Sequence, residues 1–193
     1  ISCSLVGSEM CIRDSNCVYL YFRKTRDTAF VEEMYPVMER IVKGYMQGTH
    51  FGIHMEADGL IAAGQGLDQV TWMDVRVGEI LPTPRHGKPV EINACWYNAL
   101  RIMEALGPEA GKMRDGSASE RSGAPDSRAG APDSHAGASD SAYASEDGPD
   151  YGTLAEQVKR SFTEKFWDGK RGCLKDVLPA TDAEKASVGA GSA

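Results

Sequence analysis

The stretch TWMDVRVGEILPTPRHGKPVEIN, from Thr71 to Asn93, gathers most of the residues in this chain that could do chemistry. Asp74, Glu79 and Glu91 supply carboxyl groups, Arg76, Arg85 and Lys88 supply cations, and Trp72 supplies an aromatic face. Its periodicity is poor for helix or strand, so it reads as a loop. A carboxyl group beside an apolar wall is disfavoured in its charged form and is suited to proton transfer. The plainer roles are as available. Asp74 can cap a turn or pair with Arg76, and Glu91 can sit in the first turn of the next helix, where a carboxylate is favourable. Residue types alone do not choose between these.

Helices must position that loop. Phe30, Met34, Val37, Met38, Ile41, Val42, Tyr45 and Met46 recur at steps of three and four and mark one helical face. Pro36 is awkward inside it, so the helix is expected to start near Tyr35. Cys17 to Lys24 reads as the end of an earlier helix, and TRDTAF would join the two as a helical hairpin. IHMEADGLIAAG reads as two short strands around Asp58-Gly59. Ile92, Cys95, Trp96, Ala99, Leu100, Met103 and Leu106 predict a helix from Val90, ended by Gly107-Pro108. Leu154, Val158, Phe162 and Phe166 predict another over Tyr151 to Trp167, opened by a Thr153–Glu156 capping box. WDGKRGCLKDVL then turns back around Asp168-Gly169, with Trp167 expected to pack the helix against that hairpin.

Composition divides the rest. ISCSLVGSEMCIRDS has neither period, and SLVGSEMCIRDS closely resembles a translated sequencing adapter. Residues 1–15 are therefore set outside the fold, which is read as beginning at Asn16. Residues 16–106 form the main body. Residues 107–150 are rich in Gly, Ala, Ser, Pro and Asp, with GAPDSRA, GAPDSHA and GASDSAY repeating every seven residues. They lack an apolar seam and read as a disordered insertion. Residues 151–180 continue the body, and 181–193 read as a disordered tail. The rhythm is all-α, with short β-hairpins in the loops, a rigid helical scaffold presenting functional segments.

The 193 residues carry a formal net charge of −7, which argues against a nucleic-acid partner. No apolar run reaches about 18 residues, the length expected of a membrane span. A signal-peptide pattern is missing at the start. Five cysteines without a CxxC spacing suggest neither disulfide framework nor zinc site, and a reducing cytoplasm is the simplest setting. His50 and His54 lie four apart in a stretch that looks extended, without an HExxH pattern, so no metal is expected. Gly64 and Gly66 do not open a strand-to-helix phosphate loop.

FVEEMYPVMERIVKGY, GTHFGIHMEADGLIAAG, TWMDVRVGEILPTPRHGKPVEINACWYNALRIM and LAEQVKRSFTEKFWD occur in this order. Together they resemble the C-terminal amylo-α-1,6-glucosidase domain of glycogen debranching enzymes, of the bacterial and archaeal type, over more than half the chain. The resemblance implies an (α/α)6 barrel, of which this chain would supply a part. It implies hydrolysis of α-1,6-linked glucose at branch points of glycogen or limit dextrin, with inversion and without metal or organic cofactor. Inverting hydrolysis uses two carboxyl groups about 6.5–9.5 Å apart, one protonating the leaving oxygen and one activating water. Asp74 matches the acid of the family's TWMD motif. Trp72 would stack on a sugar face. Lys88, Glu91 and Asn93 match GKPVEIN and would bond sugar hydroxyls, and Trp96 would be core or pocket wall. Arg85 and His86 carry less signal, and His86 is expected to be exposed. The family's base is a later glutamate that neither Glu79 nor Glu91 matches. A glucoamylase-like or trehalase-like α/α-barrel glycosidase is the alternative enzyme, and a non-catalytic carbohydrate-binding fragment the alternative of another class. The resemblance leaves the oligomeric state open.

Overall fold

The computed structural model describes residues 7–111 and 149–180, with side chains from Ile12 onward. Helix α1 runs Gly7–Thr25 and α2 runs Thr28–Gln47. A single-turn 3-10 helix, His50–Gly52, leads to β1 (His54–Met55) and β2 (Ile61–Ala62). After the long loop come β3 (Lys88–Pro89) and α3 (Val90–Gly111). The chain is described again before α4 (Tyr151–Phe166), β4 (Trp167–Asp168), β5 (Cys173–Leu174) and β6 (Val177–Leu178).

The expected faces turn inward. Val31, Met38, Val42 and Tyr45 are buried on α2, and Leu154, Ala155, Val158 and Phe166 on α4. Helix α3 is the hub: it packs on α1, α2 and α4. Trp96, Leu100 and Met103 are fully buried along it. The Trp96 ring stacks on Tyr45 with centroids 5.9 Å apart, and its indole N–H donates to the Gly59 carbonyl at 3.0 Å. Trp96 is thus a core residue.

Several boundaries differ from expectation. Helix α1 runs unbroken through Asn16, with Ile12 at 2% exposure and Ser15 donating to the Ile12 carbonyl. Asn16 is therefore no structural boundary. Helix α2 starts at Thr28, not Tyr35, because Asp27 caps it by accepting from the Phe30 N–H, and the helix then carries Pro36 within it. Only Arg26 and Asp27 separate α1 from α2, a tight helical hairpin. Helix α3 continues through Gly107-Pro108 to Gly111, where Tyr35 covers the Gly107 position and donates to the Met103 carbonyl. The cap of α4 is Asp150, not Thr153: its carboxylate accepts from the N–H groups of Gly152 and Thr153 and from the Thr153 hydroxyl. Trp167 is 53% exposed and does not wedge the helix against its hairpin. The seven-residue repeats lie outside the described residues.

Among the described residues, three two-stranded antiparallel ladders decorate the helices: β1–β2, β3–β6 and β4–β5. In the first, His54 faces Ala62 and Met55 faces Ile61, the hairpin expected around Asp58-Gly59. Ala63 and Gly87 then exchange both backbone hydrogen bonds, at 2.7 and 2.9 Å. That bridge closes the excursion from Gly64 to His86 at its base. Gly87 has φ +103, and a Cβ there would lie 2.3 Å from the Leu178 carbonyl oxygen, so only glycine lets β6 approach. The bridge and the β3–β6 ladder hold the loop's exit beside the start of α3.

Candidate active site

The Gly64–His86 excursion is long for a loop without secondary structure of its own, a feature more common in functional segments. Local bonds shape it. Gln65 N–H donates to Asp68 Oδ2 at 3.0 Å, the His86 ring bonds the Asp68 carbonyl at 3.0 Å, and the Thr83 hydroxyl donates to the Met73 carbonyl at 3.0 Å. The two limbs of the loop are therefore tied together. His86 is half-buried in that tie, where the sequence suggested exposure. Val77 and Ile80 pair across a tip at Gly78, where Arg76 Nε donates to the Gly78 carbonyl and Arg76 reaches Glu79 at 3.4 Å.

Asp74 sits at the base of that tip and is 5% exposed. Its Oδ2 accepts from the N–H groups of Val70 at 2.8 Å and Thr71 at 3.0 Å. Its carbonyl accepts from Gln69 Nε2 at 2.9 Å. Asp74 thus clips the Val70–Asp74 turn, and Arg76 is engaged elsewhere. The second carboxyl oxygen, Oδ1, is buried without a hydrogen-bond partner. A turn clip uses one oxygen. The other is left fixed in place and chemically uncommitted.

Trp72 is 68% exposed, so it does not wall Asp74 from water but offers an open ring face. Met73, Val75, Val77 and Ile80 are exposed beside it in sequence. Glu91, in the first turn of α3, is mostly buried and its Oε2 meets Arg85 Nη2. Arg85 also donates from Nη2 to the Asp176 carbonyl at 3.3 Å. Arg85 is the residue that sequence reading underrated. Its signal was a cation six positions ahead of a carboxylate at a helix start, which only a folded-back loop turns into a pair.

Lys88 and Asn93 face inward instead. Lys88 is 2% exposed, with Nζ 2.7 Å from both Glu56 Oε2 and Asp58 Oδ2. Asn93 is fully buried; its Oδ1 accepts from the Ile61 N–H at 2.7 Å and its Nδ2 donates to the carbonyls of Ile61 and Pro89. It pins α3 to β2 and β3. The structure thus gathers Trp72, Asp74, Arg85 and Glu91 on the loop and its exit, and places Lys88, Asn93 and Trp96 behind them. Among the described residues no group of three or more His, Cys, Asp or Glu is placed to hold a metal ion, and His54 turns onto the Gly52 carbonyl.

The family model for amylo-alpha-1,6-glucosidase matches residues 11–190. This chain belongs to the amylo-alpha-1,6-glucosidase family. The match takes in Ile12 and Ser15 of α1 and runs through the loop and past β6. Comparison with curated proteins gives no match. Among solved structures, a GH78 family rhamnosidase of Bacillus sp. GL1 is similar, with a TM-score of 0.52 and 15% identity. The likeness covers 86% of this chain and 13% of that one, so the chain spans a small part of the rhamnosidase's length. At such identity the likeness is one of fold alone: this largely helical arrangement resembles part of that structure. No helix among the described residues is long and apolar enough to cross a membrane.

Proposed function

We propose that this segment belongs to an inverting glycoside hydrolase that removes α-1,6-linked glucose from branch points of glycogen or limit dextrin, and that it forms part of an α/α barrel. Asp74 is the proton donor to the departing glycosidic oxygen. The second carboxyl group, which activates water, is assigned to no residue of this chain. Trp72 stacks on a sugar ring, and Lys88, Asn93 and Trp96 hold the loop and α3 in place. Glycogen breakdown in the cytoplasm is the setting this reading implies.

The observation that carries the reading is Asp74 itself. One oxygen is fixed by two backbone N–H groups while the other is buried and unpaired, inside the segment whose TWMD motif resembles that of the family. A structural turn clip explains the first oxygen and leaves the second idle. A proton donor uses both.

The test is glucose release from limit dextrin by the enzyme that carries this segment, with the anomer of the released sugar followed by NMR. Asp74→Asn keeps an oxygen for the Val70 and Thr71 N–H groups and removes the transferable proton. A positioned general acid contributes about 10²–10⁴-fold, so the rate should fall by that factor with the melting temperature nearly unchanged. Equal rates in the two proteins would remove Asp74 from the chemistry. Release from linear maltooligosaccharide or trehalose, with limit dextrin untouched, would favour a glucoamylase-like or trehalase-like enzyme. Sugar binding with no hydrolysis of any of the three would favour a carbohydrate-binding role.

A further inference from the structure

We propose that Gln69 and Thr83 are positioning residues for Asp74, fixing the direction of its carboxyl group; the role rests on the function proposed above. A proton donor must be held within hydrogen-bond reach of the atom it serves, and a displacement of about 1 Å can cost a large factor in rate. Helices and sheets usually supply that rigidity. Asp74 lies instead in the Gly64–His86 excursion, where neither a helix nor a paired strand runs through it. Side-chain bonds to the backbone have to do the work.

Two such bonds bracket Asp74. The Thr83 hydroxyl donates to the Met73 carbonyl at 3.0 Å, and Gln69 Nε2 donates to the Asp74 carbonyl at 2.9 Å. Those carbonyls belong to the two peptide planes that meet at the Asp74 Cα. A peptide unit is planar, so pinning both planes fixes φ and ψ of the residue between them. The Asp74 N–H, in the first of these planes, also donates to the Thr71 carbonyl at 3.3 Å. The Val70 and Thr71 N–H groups then fix the side chain through Oδ2, and only Oδ1 is left without a partner. The donors come from opposite limbs of the loop, Gln69 before Asp74 and Thr83 after the tip. Both are neutral and both bond backbone, so they orient the carboxyl without placing a charge beside it. Arg76, the nearest cation in sequence, is turned away onto the Gly78 carbonyl and Glu79. Gln69 is half-buried and Thr83 is exposed, so water competes more strongly for the second bond.

The test measures kcat and KM for glucose release from limit dextrin by the enzyme that carries this segment. Gln69→Met and Thr83→Val keep the size of each side chain and remove its donor; Thr83→Ser keeps the hydroxyl. Gln69→Met should lower kcat about tenfold and Thr83→Val about threefold, with KM within about twofold of the parent. Thr83→Ser should keep the parent rate, and all three should melt within about 2 °C of it. Added to Asp74→Asn, neither Gln69→Met nor Thr83→Val should slow the enzyme further, because a residue that acts through the carboxyl then has nothing left to position. Deuterium uptake at the Val70 and Thr71 amides should rise in Gln69→Met, a readout independent of turnover. Unchanged kcat in both Gln69→Met and Thr83→Val, with Asp74→Asn slow, would overturn the positioning role and leave the acid in place. A further loss on top of Asp74→Asn would overturn it as well, and so would unchanged uptake at those amides. An Asp74→Asn enzyme as fast as the parent would sink the proposed function, and this role with it.

Discussion

Two regions bury charge to a similar depth and treat it in opposite ways. At the β1–β2 turn, Lys88 lies between Glu56 and Asp58 at 2.7 Å from each, and Lys165 of α4 reaches the same Asp58 oxygen. The turn's backbone is equally engaged: Gln157 donates to the Ala57 carbonyl, Ser161 to that of Asp58 and Trp96 to that of Gly59. A few residues along the chain, the Asp74 loop and its exit keep one unpaired atom on each of Asp74, Arg85 and Glu91. Pairing makes the turn a joint, in which α3, α4 and β3 all bind one short hairpin. The loop and its exit keep these atoms buried and unpaired, which no contact at the joint does.

The largest effect should come from breaking the joint. Lys88→Met leaves Glu56 and Asp58 without the buried ammonium between them. Removing one member of a buried ion pair costs about 3–5 kcal/mol, because the remaining charge stays desolvated. At about 2–4 °C per kcal/mol for a domain of this size, melting should fall by roughly 10 °C, measured by circular dichroism. A drop of a degree or two would mean that water or another group already solvates these carboxylates, and the contrast between the regions would collapse.

This contrast was only partly legible in the sequence. The apolar faces of α2, α3 and α4 announce themselves because burial of one helical stripe leaves a repeat of three and four residues, and the Asp58-Gly59 turn announces the first hairpin. Pro36 and Pro108 misled, because a proline costs a helix one bond that packing can repay: α2 and α3 continue through them. Asp27 caps α2 well before the expected start, and Asp150 took the cap of α4 from Thr153, since each stands where its carboxylate reaches the free N–H groups of the first turn. Asp74 was singled out by its motif, and its burial as a turn clip had no local signal. Lys88, Glu91 and Asn93 looked alike in GKPVEIN, yet β3 and α3 turn Lys88 and Asn93 inward and leave Glu91 beside Arg85. The pairing of Glu56 with Lys88 joins residues far apart in the chain, and no local pattern signals it.

A smaller effect, on the same joint, appears in acid. Burial pushes the Asp58 carboxyl up, but the ammonium groups of Lys165 and Lys88 and the Leu60 N–H outweigh it and hold the group below its ordinary value of 3.8. A folded-state value lower than the unfolded one adds stability that is present above the unfolded value and lost as pH falls through the folded one. Asp58 should therefore steepen the loss of stability below about pH 4 and leave the plateau above it flat. Urea midpoints between pH 5 and pH 3 would show it, with Asp58→Asn lying lower on the plateau and converging on the parent in acid. Parallel curves over that range would mean that the ammonium contacts do not favour the charged form.

The smallest changes in stability should come from the two exposed tryptophans, and they sharpen the comparison most. Trp72 is 68% exposed on the loop and Trp167 is 53% exposed on β4. Surface substitutions away from special features stay within about ±0.5 kcal/mol, so Trp72→Ala and Trp167→Ala should both melt close to the parent. Their sugar binding should differ. The function proposed above stacks a pyranose on the open indole face of Trp72, whereas it gives Trp167, on the β4–β5 hairpin, no part in binding. Isomaltose affinity should fall with Trp72→Ala and hold with Trp167→Ala. Equal affinity in all three proteins would take both tryptophans out of sugar recognition. Loss with Trp167→Ala alone would move the sugar to the β4–β5 hairpin and away from the Asp74 loop.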